Sequence, residues 1–302
     1  MLSREDNIAF MSEKQEAITI VENNYSLDRE PIFFPQISQK QLAWDDFKES
    51  LQHWRIWLML AYQDIKLRYR RSVLGPFWIT ISMAITVYSM GYLYSHLFRI
   101  NFNDYFPYLV GGILGWSLIS TNILDFVEVF ILSENIIKQI KLPYTIHIHR
   151  VAARNTIIFF HHLLIIVPAV MIFHATAKTS GYLLMMLIPG LLLIYINAFC
   201  YGIVIAMIGT RFRDVPQIIK SFISVVFFVT PVIWNPDLLP ADKRFFISLN
   251  PFYSFIELIR APLTGHFMTP FQLIMVTVIT LIGIFASYLL FSAHRARIVY
   301  WI

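Results

Sequence analysis

Long uncharged stretches alternate with short charged segments along most of this chain. A helix that crosses a bilayer needs about 20 largely apolar residues, because hydrocarbon offers the backbone no hydrogen-bond partners. Five stretches without Asp, Glu, Lys or Arg reach that length, at residues 73–98, 105–124, 155–177, 182–208 and 271–293. A shorter sixth covers residues 221–234; it extends back through Ile218 if Lys220 snorkels, and Pro231 interrupts its end. The pattern predicts six transmembrane helices.

The segment before the first span, residues 51–71, has an amphipathic pattern. Apolar residues recur there at helical spacing, namely Leu51, Trp54, Leu58, Ala61 and Ile65. Two tryptophans and a basic end are typical of a helix that lies in the cytoplasmic membrane interface. We therefore predict a polar cytoplasmic arm over residues 1–45, an interfacial helix within 46–72 and a transmembrane domain over 73–302.

Prolines divide the segment between the fifth and sixth spans, residues 235–270. They stand in the dipeptides Asn235-Pro236, Asn250-Pro251 and Ala261-Pro262. Such breakers leave residues 252–260 as a short helix that is unable to cross the membrane but able to dip into it. The predicted fold is therefore an all-α membrane protein with six transmembrane helices, an N-terminal amphipathic interfacial helix and short re-entrant helices between spans five and six.

Composition excludes a soluble globule. Hydrophobic residues make up 57% of the 302 residues and charged residues only 14%, against about 25% charged in ordinary soluble domains. The net charge of +5 lies in short clusters between apolar stretches, so nucleic-acid binding is not predicted. One cysteine, Cys200, excludes an internal disulfide and a multi-cysteine metal site.

Basic residues lie mainly on one side of the predicted spans. Fourteen Lys and Arg flank the spans on that side and five flank them on the other. The positive-inside rule places the basic side, with both termini, in the cytoplasm. The first 50 residues hold ten acidic and five basic residues and lack an apolar core behind a basic start, so no cleavable signal peptide is predicted.

The chain lacks the motifs of a catalytic site. The sequence contains no GxxxxGK[ST], GxGxxG, HExxH or GxSxG pattern. His147, His149 and the pair His161-His162 have no Cys or carboxylate at ligand spacing, so helix packing is favoured over metal binding. The apolar cores carry no Asp or Glu, which argues against a proton relay. The residues therefore predict no enzyme, and if the protein moves something across the membrane, its energy comes from elsewhere.

Residues 64–78 read DIKLRYRRSVLGPFW and resemble the DLKxRYxxSxLGxxW signature of the permease subunits of ABC exporters for polysaccharides and polyol phosphates, the O-antigen, capsule and teichoic-acid exporters. Five further family motifs follow in order: YLVGGILGW at 108–116, NIIK to LP over 135–143, RFRDV at 211–215, TPV at 230–232, and LNP at 249–251 with Arg260. The resemblance covers roughly residues 47–295. Residues 1–45, 82–84 and 141 depart from the family pattern, so no particular glycan is implied.

The resemblance implies a homodimer of six-helix subunits in the bacterial cytoplasmic (inner) membrane that exports a lipid-linked glycan. Two copies of a separate ABC ATP-binding subunit bind its cytoplasmic side and hold ATP and Mg, so this chain needs no cofactor of its own. An interfacial helix continuous with the first span is expected to lever that span. The residues expected to couple to the ATPase are Asp64, Gly75, Pro76, Glu134, Asn135, Lys138, Arg213 and Asp214. Arg213 and Asp214 equally fit a bracket at a helix end that contacts no partner.

Sugar hydroxyls cannot cross hydrocarbon unaided, and aromatic side chains supply flat apolar faces with polar tips. The predicted substrate-channel residues are Phe77, Tyr88, Tyr92, Trp116, Phe227, Phe228 and Trp234. Packing between helices, or a belt at the interface, explains the same aromatics without a channel.

Two further groups of residues have both a functional and a simpler interpretation. The cluster Arg68, Arg70 and Arg71 is predicted to bind the pyrophosphate of the carrier lipid, and simple anchoring on anionic membrane lipids is the alternative. An outer gate is predicted from Phe252, Glu257 and Arg260, although the i,i+3 spacing of the last two also suits an ordinary ion pair.

Two alternative functions stay open. An exporter of the same build for a drug, peptide or lipid would have the same spans. An intramembrane acyl or glycosyl transferase would need carboxylates or histidines facing a cavity, which the uncharged cores disfavour. Pro168, Pro189 and Pro231 are expected to kink their spans.

Overall fold

The computed structural model describes residues 38–72, 74–75, 77–173 and 185–302, and within these ranges the chain is helical, without a β-strand. The described helices are α1 (Gln39–Gln52), α2 (Trp54–Arg68), α3 (Phe77–Phe98), α4 (Phe102–Leu132), α5 (Glu134–Gln139), α6 (Tyr144–Leu163), α7 (Ile166–Phe173), α8 (Leu187–Arg211), α9 (Val215–Val229), α10 (Ala241–Ser248), α11 (Pro251–Thr264), α12 (Pro270–His294) and α13 (Ile298–Trp301). The predicted all-α fold is confirmed. Most of the predicted arm, residues 1–37, lies outside the described residues.

Five helical segments in the described ranges are long and apolar enough to cross a membrane: Phe77–Phe98, Phe102–Leu132, Tyr144–Pro168, Leu187–Arg211 and Pro270–Trp301. They correspond to predicted spans one, two, three, four and six, so the chain is a multi-pass membrane protein. The predicted fifth span is the 15-residue helix α9, which is shorter than the usual span. It ends at Val229 because Pro231 disfavours a helical Thr230, whose backbone is extended. The count of six spans stays a prediction.

The predicted interfacial helix is interrupted. The chain forms α1 and α2 with a break at His53, and helical structure already begins at Gln39, inside the predicted arm. Turns follow Arg68, and Arg71 and Gly75 have positive φ values of 70° and 55°. The prediction of one helix continuous with the first span is therefore wrong, because the backbone turns between α2 and α3. Pro76, predicted to act with Gly75, lies outside the described residues.

The apolar stripe predicted for the interfacial helix divides between two environments. Ala61 and Ile65 are buried against the bundle. Leu51, Trp54 and Leu58 are exposed, as expected for side chains that meet lipid. The amphipathic character is thus distributed over two short helices.

Two of the predicted proline kinks lie close to helix ends. Helix α6 ends at Leu163 and α7 starts at Ile166, so the break lies about one turn before Pro168, where the missing N–H removes a hydrogen bond. Pro189 lies in the first turn of α8, directly after a turn at Met186, and residues 174–184 lie outside the described residues, so the kink predicted there stays a prediction.

The charged link between spans two and three is much shorter than the charge pattern of residues 127–150 suggests. Helix α4 continues to Leu132 and α6 begins at Tyr144, which leaves only Ser133, α5 and residues 140–143 between them. Asp125 of α4 and Arg150 and Arg154 of α6 lie inside these helices and form ion pairs, as described below.

Helix α4 forms the centre of the bundle and contacts α3, α6, α8, α9 and α11. Two apolar clusters surround it. One contains Leu109 and Leu114 of α4 with Ile256 of α11, and the other contains Phe126 and Phe130 near the opposite end of α4. Glycines allow the closest approaches, since Gly111 lies opposite Arg260 of α11.

The close packing around α4 predicts that alanine is tolerated at one glycine of this helix and not at another. A Cβ at Gly112 would overlap the backbone carbonyl of Val232 and the guanidinium of Arg260. Gly112→Ala is therefore expected to destabilise the protein by about 1–3 kcal/mol, the usual cost of overpacking. The matched control is Gly115→Ala, whose Cβ would lie 3.4 Å from its nearest neighbour, Ile256 Cα. Thermal unfolding in detergent measures both, and equal stability of the two variants would contradict the tight contact.

Candidate functional site

A half-buried ion-pair network joins the surface helix α2 to the bundle. The carboxylate of Asp64 accepts hydrogen bonds from Nε of Arg150, at 2.8 Å, and from its Nη2. Arg154 approaches Asp64 at 3.8 Å and donates from Nη2 to Asp125 at 2.6 Å. The pair between Asp64 and Arg150 is bidentate, a geometry that fixes orientation as well as distance. The network therefore holds α2 against α6, and α6 against α4.

The network continues toward the middle of α4 through amide side chains. Asn155 Nδ2 donates to Asp125 at 2.9 Å and to Asn122 at 3.0 Å. A polar chain in an apolar bundle is stable only when its members are paired. We call Asp64, Asn122, Asp125, Arg150, Arg154 and Asn155 the Asp64 network. Asp64 is the one member that the sequence motifs identify, because the other five lie in helices whose packing the sequence does not show.

The predicted ATPase-coupling residues on α5 lie at the surface. Lys138 donates to Glu134 at 2.6 Å across one helical turn, and Asn135 is exposed. An exposed pair of this kind contributes little to stability, about 0–1 kcal/mol.

The structure brings two of the predicted coupling residues to one cleft. Glu134 and Arg213 line a cavity of about 510 Å³ between the ends of α4 and α8 and the start of α9. Asp214 is exposed at the start of α9, and its side chain makes no helix cap. Asp64 lies apart from this cleft, in the Asp64 network.

The predicted pyrophosphate site forms an open groove beside the end of α2. Arg70 and Arg71 line this groove of about 600 Å³ together with Lys66, Tyr62 and Tyr69. Arg68 is exposed at the last turn of α2. Guanidinium groups bind phosphate oxygens strongly, so the groove has the chemistry of an anion site.

The two tyrosines predicted to share one face of the first span have different environments. Tyr88 is half-buried, its hydroxyl donates to the carbonyl of Ile165 at 3.0 Å, and its ring packs 4.8 Å from that of Phe106. Tyr92 is exposed, with its ring against His96. Phe77 is exposed at the start of α3. Phe77 and Tyr92 therefore lie on the outer face of α3, whereas Tyr88 lies between helices.

The remaining predicted channel aromatics divide in the same way. Trp116 is buried and packs against Phe227, at 5.5 Å, and against the predicted gate residue Phe252, at 5.9 Å. Phe228 is exposed, and the indole of Trp234 donates to its carbonyl at 3.4 Å. The structure thus brings Trp116, Phe227 and Phe252 together and leaves Phe228 facing outward.

Arg260 is the centre of a second buried polar group. Its side chain is fully buried; Nη1 donates to Glu257 at 2.9 Å and to the Tyr108 hydroxyl at 3.1 Å. Nη2 donates to the carbonyls of Pro231, at 2.7 Å, and Val232, at 3.0 Å. We call these five residues the Arg260 cluster. The i,i+3 ion pair forms, and it also joins α11 to α4 and to the turn that ends α9.

The Arg260 cluster extends to the surface at His266. Glu257 Oε2 lies 3.3 Å from His266 Nε2, so the carboxylate stands between two basic side chains. Burial and the neighbouring Glu257 carboxylate raise the pKa of the Tyr253 hydroxyl to about 12. The cluster keeps α11 in place while Phe252, at its first turn, reaches toward Trp116.

The histidines of α6 belong to the helix packing. His147 and His149 are buried, and the His149 ring stacks on Phe199 at 4.2 Å and approaches the Tyr195 hydroxyl at 2.9 Å. The described part of the chain contains no group of three or more His, Cys, Asp or Glu arranged to hold a metal ion.

One buried carboxylate has no sequence signal. Asp46 of α1 accepts hydrogen bonds from the backbone amides of Tyr144 and Thr145, both at 3.1 Å, and from Arg295 Nε at 2.9 Å. Its neighbour Asp45 is exposed, and nothing in the sequence distinguishes the two. Only the packing of α1 against α6 and α12 identifies Asp46.

One region of the chain matches a known protein family, and it contains both the Asp64 network and the Arg260 cluster. The family model for the ABC-2 type transporter matches residues 55–264, which include the Asp64 network and the Arg260 cluster. The chain is 23% identical over 203 residues to the O-antigen export system permease protein RfbA of Klebsiella pneumoniae, which covers 66% of this chain and 76% of that protein. It is 20% identical over 252 residues to the protein of the same name from Myxococcus xanthus, covering 82% and 95%. With more than half of its length matched and at least five helices able to cross a membrane, the chain belongs to the ABC-2 type transporter family, as a membrane permease.

Proposed function

We propose that this chain is the transmembrane subunit of an ATP-driven exporter that moves a lipid-linked polysaccharide across the bacterial cytoplasmic membrane. Family membership implies an ABC ATP-binding partner, and the relatives above are O-antigen export permeases. The observation that carries the proposal is the Asp64 network, because it connects a surface helix to the membrane-embedded α4 and α6. In this proposal, ATP and Mg bind to the partner, and both termini of the chain face the cytoplasm.

Coupling begins at α5 in this proposal. The ATP-binding subunit contacts Glu134, Asn135 and Lys138 and extends into the cleft lined by Arg213. Since α5 links α4 to α6, its displacement shifts the ends of both helices. Helix α2 follows α6 because breaking the half-buried pair between Asp64 and Arg150 would cost about 2–3 kcal/mol.

A second copy of the chain encloses the path along which the polysaccharide crosses the membrane. In α3 only 11% of the most apolar window is buried, compared with 50% in α4. Helix α9 also exposes one apolar stripe, formed by Ile218, Phe222, Val225 and Val229. Two copies that meet along α3 and α9 would enclose the exposed rings of Phe77, Tyr92 and Phe228 between them.

The cargo enters at the groove beside α2. Arg70 and Arg71 bind the pyrophosphate of the carrier lipid, whose tail stays in the bilayer, and the sugars then pass along the aromatic faces of α3 and α9. At the other end, Arg260 binds the carbonyls of the turn that ends α9. A displacement of α9 therefore carries α11 and Phe252 with it, which opens the gate.

The proposal predicts which surface pair binds the ATPase. Replacing both Glu134 and Lys138 by alanine removes exposed charges from α5, so the ABC subunit is expected to co-purify at least several-fold less well. The control is the double alanine variant of Asp237 and Arg244, an exposed ion pair at 3.0 Å beyond α9. Quantitative co-purification from detergent-solubilised membranes measures both.

A deletion strain tests the cargo. Membranes without this chain are expected to accumulate lipid-linked polymer on the cytoplasmic face, accessible to glycosidase only in inverted vesicles. Normal surface glycan in that strain would contradict the proposal. So would export by the chain reconstituted without an ATP-hydrolysing subunit.

A further inference from the structure

The carboxylate of Asp46 joins three segments that are distant in sequence. It is 1% exposed and lies on α1. Oδ1 accepts from the hydroxyl of Thr145 at 2.6 Å and from the Thr145 amide at 3.1 Å, while Oδ2 accepts from the Tyr144 amide at 3.1 Å and from Arg295 Nε at 2.9 Å. Thr145 and Tyr144 begin α6, and Arg295 follows the end of α12.

Asp46 supplies a helix cap that α6 lacks. The first amides of a helix need acceptors, and these are usually provided by the side chain of the residue before the helix. That residue is Pro143, which has no polar side chain. The negative charge of Asp46 also suits the positive end of the helix dipole, and Arg295, whose guanidinium lies 5.2 Å from the Tyr144 ring, balances it from the other side.

The break at His53 makes this contact important for the interfacial segment. Because α1 and α2 are separate helices, each packs on the bundle through contacts of its own. The structure provides one carboxylate for each: Asp46 holds α1 to the first turn of α6, and Asp64 holds α2 to Arg150, about one and a half turns further along α6. Both attachments are to α6, which follows α5 after the short segment 140–143.

We propose that Asp46 is a positioning residue that makes α1, the start of α6 and the end of α12 move as one unit, so that displacement of α5 reaches the whole interfacial segment. This inference rests on the proposed function, since it assigns Asp46 a role in transmitting the ATPase's movement. It does not place Asp46 in contact with nucleotide or cargo.

The test uses Asp46→Asn in the complete complex with its ABC subunit, reconstituted in liposomes with the lipid-linked polymer. The variant keeps the size and one acceptor oxygen but loses the charge that Arg295 and the α6 amides share. ATPase binding and ATP turnover are expected to stay within about twofold of wild type, whereas polymer exported per ATP falls about tenfold, as expected when charge-assisted hydrogen bonds are removed from a coupling element. The matched control is Asp45→Asn, the exposed neighbour on the same helix, which should keep the wild-type ratio.

Arg295→Gln provides a second variant that leaves the helix cap intact and tests the same joint if Asp46→Asn folds poorly. It is expected to lower the export ratio by itself, and combining it with Asp46→Asn should add little, because the two residues share one contact. A wild-type export ratio in Asp46→Asn and Arg295→Gln would overturn the inference. A proportional loss of protein, ATPase binding and export would also overturn it, by showing a structural role alone. A wild-type complex without ATP-dependent export would instead contradict the proposed function itself.

Discussion

Arg260→Ala is expected to destabilise this protein by about 3–5 kcal/mol, the cost of removing one partner from a buried ion pair. The substitution leaves the Glu257 carboxylate buried and takes the donor away from the carbonyls of Pro231 and Val232. Glu257 then keeps its 3.3 Å contact with His266, whose side chain is 51% exposed. The result should appear as a large fall in melting temperature in detergent and in the yield of folded protein.

Two variants calibrate that loss. Arg260→Lys keeps the charge but lacks the planar fork that reaches Glu257 and both carbonyls, so it should fall between alanine and wild type. Arg244→Ala breaks an exposed pair and should cost less than about 1 kcal/mol. If Arg260→Ala melts at the same temperature as Arg244→Ala, the Arg260 cluster does not hold α11 to the end of α9.

Asp64→Ala is expected to cost about 2–3 kcal/mol and to abolish export while the ABC subunit still binds. The side chain of Asp64 is 15% exposed, so water offsets part of the loss that a fully buried pair would show. Arg150 loses both of its bonds to Asp64, and α2 keeps only its packing contacts with α6, such as the Trp57 ring stacked on His149 at 5.3 Å. Chemical or thermal unfolding measures the stability, and reconstituted export measures the function.

Arg55→Ala is the matched control for Asp64→Ala, since it removes an exposed charge from the same helix. It should leave stability within about 0.5 kcal/mol of wild type, as surface substitutions usually do. A double-mutant cycle between Asp64→Ala and Arg150→Ala should show strong non-additivity, because each variant alone already breaks the same contact. If the stability losses of the two single variants simply add in the double variant, Asp64 and Arg150 do not stabilise the protein through a shared ion pair.

The Asp64 network and the Arg260 cluster contact α4 at different heights. The Asp64 network reaches α4 at Asn122 and Asp125, and the Arg260 cluster reaches it at Tyr108 and beside Gly112. The first connects α4 to α2 and α6, and the second connects it to α11 and to the turn that ends α9. In the proposed mechanism, α4 and α9 therefore both link the cytoplasmic helices to α11.

The apolar stretches are sufficient to predict most of the fold. A helix in hydrocarbon must satisfy its own backbone and exclude charge over about 20 residues, and this constraint alone locates the five long apolar helices along the sequence. The same constraint does not predict the length of α9, because this helix ends where Pro231 turns the chain. It also misplaces the start of α6, since the charges at Arg150 and Arg154 resemble those of a loop.

Sequence patterns single out Asp64, Glu257 and Arg260 but do not show all that they contact. Asp64 pairs with Arg150, 86 residues away, and Arg260 binds the carbonyls of Pro231 and Val232. A local spacing of three or four residues predicts only the pair between Arg260 and Glu257, because that pair lies on one helix.

The amino-acid order by itself determined that the chain is helical, membrane-embedded and amphipathic at its start, because these properties depend on which side chains hydrocarbon accepts. Tertiary structure decided which charges are buried, since a buried charge is stable only beside a partner brought by another helix. It therefore decided that Asp46, and not Asp45, caps α6, and that Tyr88 turns inward whereas Tyr92 stays exposed. Neighbouring positions on a helix differ in their surroundings, and only the packed bundle supplies those surroundings.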